Sequence, residues 1–400
     1  MTRYNFDKIT NRKGTNCLKY DFAVERGKPA DVLPLWVADM DFPVSEEITK
    51  SLHAAVEHGI YGYTQPKDAY YNAVMNWMER NHNWKTEREW IVKTPGVVFA
   101  LGAAVKAFTD PGDAILIQNP VYYPFTNIIR DNDRRVVDNT LIYEKTAGQS
   151  GDNGYRIDFE DFERKLEQEH IKLFILCNPH NPVGRVWTVE ELQKLGEICL
   201  RHHVIVVSDE IHNDFVYPGY EHTVFAKVDP RFAEFTVTCT APSKTFNLAG
   251  LQISNIFIPN EKLRKAFQTE IDKTGYDEPN ALGIVACEAA YRAGEDWLDQ
   301  LRAYLLKNLN FLRNFLQEKI PQIHLVEPEG TYLVWLDCSE LGITGKELDQ
   351  FIVDKAGLWL DGGSMFGPSG AAFQRVNIAC PQATLELALN KLKAAVDNLE

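Results

Sequence analysis

"TAPSKTFNLAG", Thr240 to Gly250, decides how this chain is read. It follows an apolar run of strand length, "FTVTC", and carries Lys244 out of what reads as the core. Lysine is almost never fully buried unless paired. A lysine launched from the end of a buried strand therefore asks for a chemical reason. Two other apolar runs end in a similar way. "KLFILC", 172–177, runs into "NPHNPVGR", and "VIVVS", 204–208, runs into "DEIHNDF". Between them "TVEELQKLGEICLRHH", 188–203, opens with a Thr188 and Glu191 capping box and places Val189, Leu192, Leu195 and Ile198 on one stripe. Near-continuous apolar strands separated by amphipathic helices argue for a parallel sheet covered on both faces, an α/β architecture. Ligands of such sheets bind beyond the carboxyl ends of the strands. Asn181, Asp209 and Lys244 are thus expected to meet on one rim.

Working outward, "WIVKT" and "AILIQ" are further strands, with the Gly-led helix "PGVVFALGAAVKAF" between them. Upstream, Ser45 caps a helix that ends near His58-Gly59, and a second helix carries apolar residues at 70, 74, 77 and 78. The first 45 or so residues read as an irregular, Pro-punctuated segment. After about 285 the texture changes to long helices, the strand "GTYLVWLD" and a late helix at 383–399. The expected organisation is an N-terminal segment, 1–45, packing with a small α+β domain, 286–400, beside a large domain, 46–285.

Composition narrows the function. The chain has 400 residues, of which 42 are basic and 56 acidic, for a formal net charge of −14. Without a concentrated basic footprint, a nucleic-acid surface is not expected. No window reaches the roughly 18 apolar residues of a membrane span. "MTRYNFDKIT" lacks the apolar core of a signal peptide. Seven scattered cysteines with no CxxC read as reduced thiols, which suggests a cytoplasmic protein. Cys177, Cys199 and Cys239 sit in apolar runs and read as core residues. Asp209-Glu210-Ile211-His212 has no second ligand pair, so no metal site is expected.

Each candidate has a plain reading when taken alone: a turn at Asn181, a helix cap at Asp209, a surface position for Lys244. Taken together they suit pyridoxal phosphate. That cofactor needs a lysine to bond its aldehyde and a carboxylate to keep its ring nitrogen protonated. It also takes a donor to its phenolic oxygen. Its phosphate suits a helix N-terminus, which "TPGVVFAL" supplies, with Gly96 expected to allow a tight turn. Tyr123 in "NPVYYPF" offers an aromatic to stack on the ring. Competing phosphate motifs, GxxxxGK[ST] and GxGxxG, are absent, and "GGSMFGPSG" reads as a loop.

The chain resembles the fold-type I pyridoxal-phosphate enzymes of the class I/II aminotransferase superfamily. More narrowly, it is similar to the MalY/PatB group of cystathionine β-lyases, or C–S lyases. The likeness rests on "LPLWVADMDF", "YGYT", "TPGVV", "NPVYYPF", "LFILCNPHNPVGRVW", "VVSDEIHNDF", "APSKTFNLAGLQ", "EGTYLVWLD" and "FGPSGAAFQRVNIACP", in that order. It implies a mostly parallel seven-stranded sheet and a homodimer with shared sites. By motif, it implies that Lys244 holds the cofactor and moves protons, and that Asp209 pairs with the ring nitrogen. Asn181 would bond the phenolic oxygen and the substrate carboxylate, and Tyr123 would stack on the ring and contact the substrate. The amides of Val97 and Val98 and the Ser243 hydroxyl would take the phosphate. Arg375 would grip the substrate α-carboxylate, a task its planar fork suits. Tyr63 or Tyr61 would reach the neighbouring subunit's site. Two positions depart from many relatives, Gln252 for an arginine and His212 for a tyrosine, which leaves the part of His212 toward the cofactor open. The implied activity is α,β-elimination from cystathionine or related S-substituted cysteines. Aminotransfer, or a regulatory binding role with secondary catalysis, uses the same residues and stays open.

Overall fold

The structure is a computed structural model that describes residues 4–145 and 153–399. Seven strands form the largest sheet: β1 (Ile91–Thr94), β2 (Ala114–Ile117), β3 (Arg135–Asp138), β4 (Leu173–Cys177), β5 (Ile205–Asp209), β6 (Thr236–Thr240) and β7 (Ser254–Phe257). Their spatial order is β1-β7-β6-β5-β4-β2-β3. Only β7 runs antiparallel to its neighbours. This is the mostly parallel, seven-stranded α/β sheet the sequence implied.

Side chains alternate along a strand, so each central strand feeds two cores. Leu173, Ile175 and Val207 pack with Val97, Ala100 and Ala104 of α1 (Val97–Phe108). Phe174, Leu176 and Val206 pack with Leu192, Leu195 and Ile198 of α2 (Val189–Arg201). Each fully buried Leu, Ile or Phe stabilises the fold by about 1.5–3 kcal/mol. The Thr188–Glu191 capping box is formed. Val189 is the exception to the expected stripe: it is the first helical residue and 49% exposed.

Two strands were not legible. "RVVD" lies at the sheet edge, where two apolar residues suffice, and "SNIF" buries two polar residues. Both of those are satisfied. Ser254 Oγ donates to Thr94 O (3.0 Å), and Asn255 Oδ1 accepts from Tyr70 Oη (2.7 Å).

A second, antiparallel sheet holds β8 (His324–Val326), β9 (Leu333–Asp337), β10 (Asp361–Gly362) and β11 (Phe373–Asn377), in the order β8-β9-β11-β10. Arg375 on β11 stands opposite Trp335 on one side and Asp361 on the other. A long helix, Glu295–Lys319, buries Leu301, Leu305, Leu309, Leu312 and Leu316. The N-terminal stretch reaches the same region, Leu33–Pro34 pairing in parallel with Leu358–Trp359. All seven cysteines are free, and six are buried. Among the described residues no helix is long and apolar enough to cross a membrane.

Candidate active site

The parallel strands β4, β5 and β6 are adjacent. Their carboxyl ends therefore open on one side of the sheet, and the loops that follow share one rim. A cavity of about 180 Å³ lies there. Asn181, Asp209 and Lys244 line it, with Gly96, Val97 and Val98 from the start of α1 and with Ser243 and His212. Residues from three distant segments are thus brought together as the sequence suggested. A larger apolar cavity, about 430 Å³, lies between residues 215–220 and 302–306 without a comparable set of convergent polar groups.

Lys244 sits on a short helical turn, Pro242–Thr245, directly after β6. Its Nζ donates to Ala38 O (2.6 Å). Burial, and then the charge of Arg375, lowers its pKa to about 8, while Asp39 and Asp209 pull the other way. An appreciable share of neutral amine at neutral pH follows. The turn is anchored by its next residue, since Thr245 Oγ1 donates to Asp214 Oδ2 (2.6 Å). Asp214 is itself held by Trp77 Nε1 (3.2 Å) and His82 Nε2 (3.0 Å).

Asp209 is the last residue of β5 and is buried. Burial pushes its pKa up to about 7; the Ile211 amide and Lys244 oppose this, and Glu210 adds to it. A carboxylate held this way is short of a positive partner. Behind it the Glu210 carboxylate accepts from Ser208 Oγ (2.8 Å), Phe225 N (3.0 Å) and His222 Nε2 (3.0 Å), which fixes the strand end. His212 lines the cavity with its Nδ1 buried and unpartnered. Burial, then Lys244 and Arg375, hold its pKa well below the usual range, so the ring is neutral.

Asn181 links the cavity to Arg375. Its Oδ1 accepts from Arg375 Nη1 (3.1 Å). Arg375 Nη2 donates to Trp36 O (2.9 Å) and to the Asp361 carboxylate. The Arg375 side chain is 3% exposed, and its Nε has no partner. The guanidinium is thus fixed on one edge and keeps an unused donor on another.

Several sequence expectations need correcting. Tyr122, not Tyr123, lines the cavity. Tyr123 caps the helix Pro124–Asp131 with helical backbone (φ −57°), so the two rings diverge, 53° apart in plane. Tyr123 packs on Phe366 instead, 6.1 Å between centroids. Tyr122 is held in place from the preceding residue, since Val121 N donates to Phe366 O (2.9 Å). Twin tyrosines carry no signal in sequence that would choose between them. Gly96 does not make the expected tight turn: its φ is 177°, extended backbone open to any residue. Tyr63 and Tyr61, expected at the neighbouring subunit's site, are 96% and 59% exposed in the single chain, and the Tyr61 hydroxyl donates to Val56 O (3.3 Å). Gln252 is exposed, with φ 51°, and is not on the cavity wall. The sequence reading also missed Ala38 and Trp36, whose carbonyls accept from Lys244 and Arg375, and Asp361. Backbone acceptors leave no trace in residue type.

A family model for aminotransferase class I and II matches residues 30–392. The chain belongs to that family. It is 46% identical to cystathionine beta-lyase PatB of Bacillus subtilis, over 98% of this chain and 100% of that protein. It is 31% identical to protein MalY of Escherichia coli, over 96% of each. Among solved structures it is similar to cystalysin from Treponema denticola, which contains pyridoxal 5'-phosphate: TM-score 0.94, 38% identity, 99% of this chain and 100% of that one. It is also similar to the PLP-bound C-S lyase from Staphylococcus hominis, with TM-score 0.91, 35% identity and 98% of each chain covered. The solved relatives thus share the fold described above.

Proposed function

We propose that this chain is a pyridoxal-phosphate-dependent C–S β-lyase that cleaves cystathionine and related S-substituted cysteines. The observation that carries the reading is the cavity itself, which a lysine, a buried carboxylate and the N-terminal residues of a helix line together. The residues fit the cofactor. A protonated ring nitrogen answers the need of Asp209. The amides of Val97 and Val98 and the Ser243 hydroxyl suit a phosphate. The unpartnered Nδ1 of His212 marks a further polar contact, and Tyr122 suits the ring face. When bound, the cofactor supplies the electron sink that makes the substrate α-proton removable.

The chain's own residues do the rest. Arg375, steadied by Asn181, holds the α-carboxylate. Lys244 would hold the cofactor, and its amine, when free, would remove the proton at Cα. The C–S bond breaks, and the sulfur leaves with its electron pair and takes up a proton. Water then releases pyruvate and ammonia from the remaining three-carbon fragment. For cystathionine the other product is homocysteine. The test is to supply cystathionine to the holoenzyme without a keto acid and measure pyruvate and thiol. Equal amounts of both are expected. Product that forms only when a second keto acid is added would make the chain an aminotransferase.

A second copy of the chain completes this reading. Ile60, Tyr61 and Tyr63 form an exposed apolar run, which a homodimer would cover while Tyr63 reaches the partner's cavity. Sedimentation tests the dimer: a monomeric holoenzyme contradicts it. The division at residues 45 and 285 is kept as the domain organisation, supported by the pairing of Leu33–Pro34 with Leu358–Trp359. The free cysteines fit a reducing, cytoplasmic setting.

A further inference from the structure

We propose that a second, polar pocket beside Arg375 is the subsite for the far end of the substrate, and that this end is itself an α-amino acid zwitterion. The inference rests on the lyase reading above and says which of the S-substituted cysteines the site is built for.

The pocket, about 220 Å³, is lined by two cations and two carboxylates, Arg26, Lys28, Asp349 and Asp361. A tight turn sets the two cations side by side. Gly27 N donates to Val24 O (2.9 Å) and Lys28 N to Ala23 O (2.8 Å), with Gly27 at φ 69°, a left-handed conformation that favours glycine. The Arg26 guanidinium lies over the Trp36 ring, 5.3 Å from its centroid. Trp36 is stacked on Trp359 at 4.3 Å and 14°. Among the described residues neither Arg26 nor Lys28 makes an ion pair with a carboxylate. The Trp36 indole N–H is buried without an acceptor. Asp349 is fixed by Gln374 Nε2 (2.7 Å), and Asp361 bonds Arg375. Two cations and two carboxylates in one pocket match a molecule with both a carboxylate and an ammonium group.

Position joins this pocket to the reaction. Arg375 bonds lining residues of both chambers, Asn181 on the cofactor side and Trp36 O and Asp361 on this side. A substrate whose α-carboxylate is held by Arg375 would extend its sulfur chain toward the second pocket. Cystathionine carries an amino acid at its far end. S-Ethylcysteine ends in a methyl group and leaves both kinds of charge unanswered.

The experiment compares kcat/KM of the holoenzyme for cystathionine and for S-ethylcysteine, in the wild type and in an Arg26→Ala, Lys28→Ala double variant. Both positions lie on an open turn, so the fold is kept. The ratio of the two values is expected to fall about ten-fold or more in the variant, mainly through KM for cystathionine. A ratio within about two-fold of wild type overturns the subsite. If both substrates yield pyruvate while the ratio is unmoved, the subsite alone fails. If neither yields pyruvate in the wild type, the lyase reading fails and the subsite falls with it. An Asp349→Asn variant checks the carboxylates, with a raised KM for cystathionine expected and an unchanged one counting against it.

Discussion

Two regions meet at this site and are built differently. The rim of β4, β5 and β6 takes its functional groups from the first few residues after three neighbouring strands. The wall around Arg375 is assembled from both ends of the chain: Trp36 and the Arg26–Lys28 turn at one end, Asp361 and Arg375 at the other. On the rim, burial drives charges away from their usual states, Lys244 down to about 8 and Asp209 up to about 7. On the wall, the arginine is answered by Asp361 and by carbonyl and amide oxygens. Groups held off balance suit proton movement and cofactor chemistry, whereas compensated groups suit recognition. Substitutions on the rim should therefore damage turnover, and those on the wall should damage substrate binding.

The largest expected effect is on the rim. Lys244→Ala should lower kcat by about 10³-fold or more and leave cofactor held only noncovalently, seen as loss of the colour of the lysine-bound form. Residual activity within about ten-fold of wild type would break the contrast. Next comes the wall: Arg375→Lys keeps the charge but loses the fork and should cost about 2–3 kcal/mol, roughly 10²-fold in kcat/KM, mostly through KM. A fall confined to kcat would erase the distinction. Smaller again is the pair of tyrosines. Tyr122→Ala should cost about ten-fold in cofactor affinity, and Tyr123→Ala should cost less; the reverse order would restore the sequence-based choice.

The smallest effect is on stability and has a definite sign. The Asp209 pKa is raised in the fold, so between its ordinary value and about 7 the folded state holds a proton that the unfolded chain has lost. Stability of the cofactor-free protein thus falls as pH rises through that window. Lys244 acts from the other side. Its lowered pKa makes stability rise as pH climbs from about 8 toward 10.5. Asp209→Asn should accordingly stabilise the cofactor-free protein near pH 7.5 by about 1 kcal/mol, with the gain shrinking on acidification. Thermal unfolding across pH measures this, and destabilisation at pH 7.5 would contradict it.

The same contrast explains what could be read from sequence. The rim was legible because a buried β-branched strand announces itself, and the residue that follows it in a parallel sheet has a fixed place. Lys244, Asp209 and Asn181 were found that way. Arg375 was assigned only through resemblance, because one arginine in "FQRVN" carries no local signal. Trp36 and Ala38 act through backbone carbonyls, and Asp361 acts through a pairing with β11 that no local pattern encodes. Tyr122 was lost to its neighbour because one residue at a helix start turns a ring away. β3 and β7 were missed because an edge strand and a strand with paired polar groups need little apolar content.

The central claim is that Lys244 is the residue that bonds pyridoxal phosphate in the strand-end cavity. It is tested most directly by reducing the holoenzyme with borohydride and mapping its peptides by mass spectrometry. The pyridoxyl label is expected on the peptide that carries Lys244. A label on another lysine, or none at all, would contradict the account.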